Sequence, residues 1–217
     1  MVDLGKVDRP EAESFKAARK LYLVPLVHAG EGSPAEYVEL SNKYWEGVRA
    51  SIESLETRLG PVRRVYHEVL FTSGDDGLKM LESVCRQSYD IVKLRIGLGA
   101  VIEEFEDESL FYEFLDWQRC LGIGFISNIV GDKVTSAFLD AMKKRFEHLS
   151  KRIDDSLGAS EVGLLFISED HKLQFPSGIE VFYVAPPALD EIHRWLREQR
   201  GKKHAENEEG RKQQGDS

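Results

Sequence analysis

The stretch "LYLVPLVHAGEGSPAEYVEL", residues 21–40, joins a strand to a helix and decides the architecture. It opens with a short apolar run that is typical of a buried strand, although Pro25 within the run predicts an edge position or a bulge. Ser33, Pro34 and Glu36 then supply an N-cap, a first-turn proline and a capping-box acid in the order that begins a helix. The chain is therefore expected to pass from a first strand directly into a helix.

The segment that follows completes a strand–helix–strand unit. Apolar residues recur at spacings of three and four on one helical stripe, namely Tyr37, Leu40, Tyr44, Val48, Ile52, Leu55 and Leu59. Gly60 and Pro61 end the helix, and "VRRVYHEVLF" at 62–71 changes the period to two, which predicts a second strand. A crossover helix of this length favours a right-handed βαβ unit with parallel strands.

The middle of the chain is predicted to be helical. A helix begins near Ser73, with Asp76 as its capping partner, and directs Leu78, Leu81 and Cys85 inward. The next stretch, "DIVKLRIGLGAVIEEFEDE" at 90–108, fits two structures. Its apolar residues favour a helix through 106, and the alternation within 91–98 leaves a strand open as the alternative.

The second half adds two helices, two strands and a last helix. A short helix is predicted at 109–121 and a long one at 132–157. The apolar runs "EVGLLFIS" at 161–168 and "IEVFYV" at 179–184 predict buried strands, and Pro187 begins the last helix. The fold class is therefore α/β, a layered sheet of at least four mostly parallel strands with helices on both faces and a helical insertion in the middle.

Length and the two chain ends predict one domain. A chain of 217 residues can form one large α/β domain, which we place at residues 20–200. Residues 1–19 are read as a polar lead-in. Residues 201–217 carry no apolar side chain larger than Ala205, so they are predicted to be a disordered tail.

Composition narrows the classes of function. The formal net charge of −9 argues against a broad nucleic-acid interface. The sequence contains no run of about 18 apolar residues, so no membrane span is predicted. Cys85 and Cys120 are the two cysteines, too few for a disulfide framework, which favours a cytoplasmic location. The sequence leaves open whether the protein forms a homo-oligomer.

Polar residues follow the predicted strands. If the strands are parallel, the loops at their carboxyl ends share one rim of the sheet, where α/β proteins bind ligands. Acids, histidines and a serine in these loops are the candidate ligand-binding residues: His28, Glu31, Ser73, Asp75, Glu169, Asp170 and His171. Carboxylate and imidazole suit a small polar ligand or a divalent metal. Solvated loops and a capping role for Ser73 are the alternative explanation.

Other polar residues have simple structural explanations. The loop "HAGEGSP" at 28–34 could hold an anion at a helix N-terminus, but it lacks both glycine-rich phosphate motifs. His67 lies on the apolar face of its predicted strand, which favours a core role, and Glu68 is expected on the opposite face. Asp116 and Arg119 have the i,i+3 spacing of a helical ion pair.

One segment resembles a known family. In "RIDDSLGASEVGLLFIS", residues 152–168, a helix ending in Asp-Asp-Ser-Leu passes through Gly158 and Ala159 into an apolar strand. This segment is similar to the C-terminal α/β domain of the archaeo-eukaryotic release-factor and Pelota group. The resemblance implies a related α/β layer fold. The GGQ tripeptide of release factors is absent from the sequence, so peptide release is not implied.

Two functions follow as expectations. The first is binding of a small polar or metal-containing ligand at the carboxyl rim of the sheet. The second is a non-catalytic protein-interaction module, translation-associated through the resemblance. No motif in the sequence identifies a cofactor or decides whether the protein is an enzyme.

Overall fold

Five parallel strands and six helices make up residues 18–215, the part of the chain that this computed structural model describes, with side chains through Lys202. In chain order they are β1 (Arg19–Pro25), α1 (Ala35–Leu59), β2 (Val62–His67), α2 (Gly74–Val84), α3 (Arg86–Gly97), β3 (Val101–Ile102), α4 (Glu108–Ile123), α5 (Asn128–Ser156), β4 (Val162–Ile167), β5 (Ile179–Tyr183) and α6 (Pro187–Gly215).

The predicted terminal segments are described only in part. Residues 1–17, most of the predicted lead-in, lie outside the described residues. Helix α6 continues to Gly215 and so enters the segment 201–217, where its side chains are described through Lys202. The disordered tail over 201–217 stays a prediction.

All five strands belong to one sheet in the order β3-β2-β4-β1-β5. β1 pairs in parallel with β4 on one side and with β5 on the other, so it is an interior strand. The edge position predicted from Pro25 is therefore wrong. Pro25 is the last residue of β1, where a missing N–H affects only the end of the ladder, and its carbonyl accepts a hydrogen bond from the Tyr44 hydroxyl at 2.5 Å.

Helices cover both faces of the sheet. Tyr22 and Val24 of β1 pack on one face, in a core to which α1, α2, α3 and α6 contribute. Leu21 and Leu23 alternate with them and pack on the other face, against α5. The predicted α/β class, with a parallel sheet between helical layers, is confirmed.

The middle segment differs from the prediction at its end. Residues 91–97 are helical as part of α3, so the alternative strand at 91–98 is wrong. The helix also stops well short of 106, because Gly99 adopts φ +96 and turns the chain. β3 follows, pairing Val101 with Arg64 and Ile102 with Val65 of β2, which adds a fifth strand at the sheet edge.

β4 and β5 are separated by β1, with which both pair. The run at 179–184 was expected to be buried, but β5 is an edge strand with half-buried and exposed positions. The connecting loop, residues 168–178, passes over the face that α5 covers, where Leu173 and Phe175 pack against the core. This loop leaves the carboxyl end of β4 beside that of β2.

Gly77 in α2 provides a test of the packing between α2 and β3. A Cβ atom at this position would lie 2.6 Å from the carbonyl oxygen of Thr72 and 2.9 Å from a methyl carbon of Ile102. Gly77→Ala is therefore expected to lower the free energy of unfolding by about 1–3 kcal/mol, as overpacking does. Urea denaturation measures the change.

Gly97→Ala is the matched control, because Gly97 is also helical but, apart from its chain neighbours and the nearby backbone of its own helix, nothing lies within 4 Å of the position that a Cβ would occupy there. Alanine at this position should be neutral or stabilising by up to about 1 kcal/mol, from its higher helix propensity. Equal effects of the two substitutions would contradict the close approach at Gly77.

Candidate functional site

A cavity of about 430 Å³ opens at the carboxyl ends of β1, β2 and β4, and we call it the rim cavity. Helices α4 and α5 close one side with apolar side chains that include Phe111, Phe114, Phe138, Met142 and Phe146. The polar side chains that line it are His28, His67, Glu68, Gln118, Arg145, Ser168, Asp170, His171 and Lys172. Ligand cavities of α/β proteins lie at the same place in the sheet.

Three of the predicted ligand-binding residues line the rim cavity: His28, Asp170 and His171. His28 follows β1, and the other two follow β4, so the parallel pairing of β1 with β4 brings them to one rim. The Nδ1 atom of His171 accepts a hydrogen bond from the Leu173 backbone N–H at 3.2 Å. Burial lowers the pKa of His171, so its imidazole is neutral at pH 7.

The other four predicted residues do not line the rim cavity. Glu31 is exposed in the turn that precedes α1. Ser73 and Asp75 are exposed at the beginning of α2, where Ser73 is the N-cap residue without a side-chain cap bond. Glu169 turns away, because its carboxylate accepts hydrogen bonds from side chains of β5 and α6.

A buried guanidinium joins two carboxylates beside the cavity. Arg145 of α5 is 2% exposed, and its Nη2 lies 2.9 Å from Glu68 Oε1 while its Nε lies 3.0 Å from Glu106 Oε2. Burial raises the pKa of Glu106 against the opposing effect of Arg145. Burial acts to raise the pKa of Glu68, but hydrogen bonds from Ser168 and Arg145 lower it below its ordinary value. The three side chains form one ionic network.

The Glu68 carboxylate also connects the carboxyl ends of β2 and β4 through hydrogen bonds. Its Oε2 accepts hydrogen bonds from the backbone N–H of Ser168 at 2.8 Å and from the Ser168 hydroxyl at 2.5 Å. The Arg145 guanidinium packs about 5 Å from the rings of Phe111 and Phe146. The carboxyl ends of β2 and β4 are thereby fixed to each other and to α5, which gives the cavity a rigid wall.

His28 and His67 line the side of the rim cavity opposite Arg145 and interact with the buried thiol of Cys85, which does not itself line the cavity. Cys85 joins α2 to α3 and is 3% exposed. Burial opposes ionisation, but interactions with the side chains of His28, His67 and Ser88 lower the pKa of Cys85 to about 5. The interaction with Cys85 raises the pKa of His28, although burial opposes this shift. The Cys85 thiol donates a weak hydrogen bond to Gln87 Oε1 at 3.8 Å.

His67 is held on both sides of its ring. Its Nδ1 is hydrogen-bonded to the backbone carbonyl of Glu68, and its Nε2 lies 3.1 Å from the Ser88 hydroxyl oxygen. The Ser88 hydroxyl also donates to the Cys85 carbonyl at 3.1 Å. His67 is fully buried, in agreement with the predicted core position, yet it also reaches the cavity wall.

Glu68 extends toward the face opposite His67, as expected. Its carboxylate pairs with Arg145 of α5, whereas the His67 ring packs against Phe166 and contacts Ser88 on the other face. Both side chains nevertheless line the rim cavity, because the cavity lies at the carboxyl ends of the strands, where the two faces meet.

Sequence reasoning missed Arg145, Glu68 and Cys85 as site residues. A usable signal existed for Arg145, because it lies three residues after Met142 and four before Leu149 on the apolar stripe of α5. A charged residue in such a stripe requires a buried partner. No comparable signal marked Cys85, whose histidine neighbours are distant in the sequence.

A comparison with known protein families, curated proteins and solved structures found no match. Among the side chains that the structure describes, residues 18–202, no group of three or more His, Cys, Asp or Glu is arranged to hold a metal ion. Among the described helices, none combines the length and apolar content of a membrane span. The resemblance to the release-factor and Pelota group stays an expectation.

Proposed function

We propose that this protein binds a small polar organic ligand in the rim cavity. The observation that carries the proposal is the convergence of His28, Asp170, His171 and Lys172 on one cavity at the carboxyl ends of parallel strands. Its volume of about 430 Å³ falls within the range of roughly 300–1,000 Å³ that is typical of small-molecule sites.

The groups that face the cavity indicate the chemistry of the ligand. Asp170 and Lys172 are exposed and make no hydrogen bond or ion pair within the described part of the chain. Since Nδ1 of His171 accepts the Leu173 N–H, the neutral imidazole carries its proton on Nε2 and offers a donor. An acidic group near Lys172 and a hydroxyl or amino group near Asp170 would satisfy these side chains.

The apolar side of the cavity selects the rest of the ligand. Phe111, Phe114 and Phe138 present their rings on the wall formed by α4 and α5. A ligand with an aliphatic or aromatic body would bury that body against these rings. The proposal is therefore a small organic acid with an apolar portion.

Calorimetry with a panel of aliphatic and aromatic hydroxy acids, amino acids, nucleotides and divalent metal chlorides tests this proposal. We expect at least one organic acid to bind, and the double variant Asp170→Ala, His171→Ala to weaken its binding tenfold or more. The control is the double variant Glu31→Ala, Asp75→Ala, which removes two exposed acids outside the cavity and should leave the affinity unchanged.

The outcomes separate clearly. No heat from any organic acid in the panel would count against the proposal, and so would equal weakening by the two double variants. Heat from a metal chloride alone, lost in the Asp170 and His171 variant, would replace the organic ligand with a metal. Unchanged binding in both variants would move the site away from the rim cavity.

A second candidate function is a protein-interaction module, and the hairpin of α4 and α5 favours it. Its tip, residues 122–130, is exposed and carries the large apolar side chains Ile123, Phe125, Ile126, Ile129 and Val130. The sequence between Arg119 and Asp132 contains no charged residue. Exposed apolar clusters of this kind mark contact surfaces.

Self-association is the direct test of the second candidate. If the tip binds a second copy, sedimentation velocity should show a concentration-dependent dimer that the double variant Ile126→Asp, Ile129→Asp abolishes. Leu98→Asp, which changes an exposed leucine outside the tip, is the control and should leave the dimer intact. A monomer at every concentration would remove self-association as the function of the tip.

A further inference from the structure

We propose that the ligand of the rim cavity is the carboxyl-terminal segment of a peptide, with its last side chain in the rim cavity and the preceding residues in an adjoining groove. This rests on the proposed function, because it uses the same cavity and makes the class of organic acid specific. The groove has a volume of about 690 Å³, and its lining comes from α5 and from residues 172–177 of the loop after β4.

The groove adjoins the rim cavity. Met142, Phe146 and Lys172 line both of them, so these three side chains form a junction. Along α5, the lining passes from Phe138 in the rim cavity, through the junction, to Asp154 in the groove. The loop after β4 follows the same order, because its residues before 172 line the rim cavity and those after 172 line the groove. A ligand that crosses the junction therefore contacts both spaces.

The length of the groove matches a short extended peptide. Its α5 wall runs from Met142 to Asp154, which spans about 18 Å, because a helix rises about 1.5 Å per residue. An extended chain advances about 3.4 Å per residue, so about five residues fit this length. Pro176 adds apolar surface, and Gln174 and Ser177 add polar groups. This mixed lining suits a peptide, whose backbone is polar.

The loop wall of the groove is held in place by the fold. Leu173 and Phe175 pack against the core, while the alternate side chains between and beside them line the groove. The Gln174 carbonyl also accepts a hydrogen bond from the Ser150 hydroxyl of α5 at 2.6 Å. Because the wall is already ordered, little conformational entropy is lost when a ligand binds.

Lys172 is the cation that fits a carboxylate at the junction. The charge of Arg145 is balanced by its two carboxylate partners. In the groove, Lys143 and Lys151 have carboxylate oxygens at 3.8 Å and 4.0 Å. Lys172 is exposed and has no carboxylate partner within residues 18–202. An ammonium group without a counter-ion forms a charge-assisted hydrogen bond with the carboxylate of a ligand.

A carboxylate at the junction restricts the class of ligand. A fatty acid has one chain, so with its carboxylate at Lys172 it fills the space on one side only. The last residue of a peptide instead carries a carboxylate, a side chain and the preceding chain on or next to one Cα atom. Its side chain can enter the rim cavity beside Phe111 and Phe114 while the preceding residues follow the groove. The last residue is therefore apolar.

Calorimetry on the full chain tests this proposal with acetyl-Ala-Ser-Ala-Ser-Phe, a peptide with a free terminal carboxylate. We expect it to bind at least tenfold more tightly than acetylphenylalanine, which has no residues for the groove. The same peptide with a terminal amide should bind at least tenfold more weakly, because it lacks the charge that pairs with Lys172. Dodecanoate, an unbranched acid, should also bind more weakly than the peptide acid.

Two variants separate the junction from the groove. Lys172→Met should weaken the peptide acid at least tenfold and leave the affinity of the amide unchanged. Lys144→Met is the matched control, since Lys144 is an exposed residue of α5 that lines neither cavity. Gln174→Trp places a bulky ring in the groove, so it should weaken the peptide acid and leave acetylphenylalanine unchanged. Both altered site residues are exposed, and circular dichroism confirms folding.

Equal affinities of the peptide acid and its amide would overturn the proposal, and so would a peptide that binds no more tightly than acetylphenylalanine. Dodecanoate that binds more tightly than the peptide would replace the peptide with a fatty acid. If small organic acids bind while the added residues gain nothing, the inference fails and the proposed function stands. If the peptide binds through Lys172 while no small acid does, the inference stands and the small-molecule proposal fails.

Discussion

Replacing Arg145 with methionine is expected to lower the free energy of unfolding by about 3–5 kcal/mol, the cost of breaking a buried ion pair. Arg145 is 2% exposed and Glu106 is 1% exposed, so the substitution leaves a carboxylate inside the protein without its cation. Methionine keeps much of the volume, which separates the loss of charge from the loss of packing. Urea denaturation at pH 7 measures the change.

Arg119→Met is the matched control, because Arg119 forms an ion pair with Asp116 on the surface of α4. The predicted i,i+3 pair is confirmed at 3.5 Å, with side chains 81% and 75% exposed. Exposed pairs contribute little, and we expect a change within about 0.5 kcal/mol. Similar losses at positions 119 and 145 would show that the buried network does not stabilise the fold.

The Arg145 network also predicts a pH dependence. The folded protein lowers the pKa of Glu68 from its ordinary value of 4.5. A lowered carboxyl pKa contributes stability that is present above the ordinary value and is lost as the pH falls. The difference in stability between wild type and Arg145→Met should therefore narrow below about pH 4.5. A gap that widens on acidification would contradict the role of ionised Glu68.

Phe166→Ala is expected to have an effect of similar size, about 3–5 kcal/mol, because it removes a ring from the centre of the sheet. Phe166 is fully buried on β4, with its ring centroid 6.2 Å from that of Trp45 and 5.4 Å from that of His67. The void would lie beside His67, so the packing that positions this imidazole is lost with the ring. Denaturant unfolding measures the loss.

Ile126→Ala supplies the comparison for Phe166, since Ile126 is fully exposed at the tip of the α4–α5 hairpin. Its truncation should change stability by no more than about 0.5 kcal/mol, because little packing is lost. A large loss at Ile126 would mean that the tip is covered in solution, as the interaction-module candidate requires. A near-neutral Phe166→Ala would contradict the position of β4 in the core.

These two effects depend on different kinds of information in the sequence. Phe166 lies in an apolar run that by itself predicts a buried strand, and the structure places it in β4. Arg145 lies in a helix whose periodicity the sequence shows, but neither of its carboxylate partners can be read from that period. The local pattern of apolar residues therefore predicts the helix or strand to which a residue belongs. The residue that it contacts can be identified only from the tertiary fold.

The candidate site shows the same division. His28, Asp170 and His171 were expected at a common rim because each follows a predicted strand, and all three line the rim cavity. Ser73 and Asp75 follow β2 in the chain but lie outside the cavity, because the turn after His67 intervenes before α2 begins. A position soon after a strand in the sequence therefore did not determine whether a residue lies at the cavity.

By itself, the sequence determined the α/β class, the succession of β1, α1 and β2, and the beginning of the last helix at Pro187, since apolar periods and helix-initiating prolines act over a few residues. The predicted side-chain caps did not form, because α1 begins at Ala35 with Pro34 as its N-cap and Ser73 makes no side-chain cap bond. Tertiary structure alone decided that β1 lies between β4 and β5 and that Arg145 meets Glu68 and Glu106. These contacts join segments that are remote in the chain. They depend on strand order and on the pairing of buried charges, which no local period encodes.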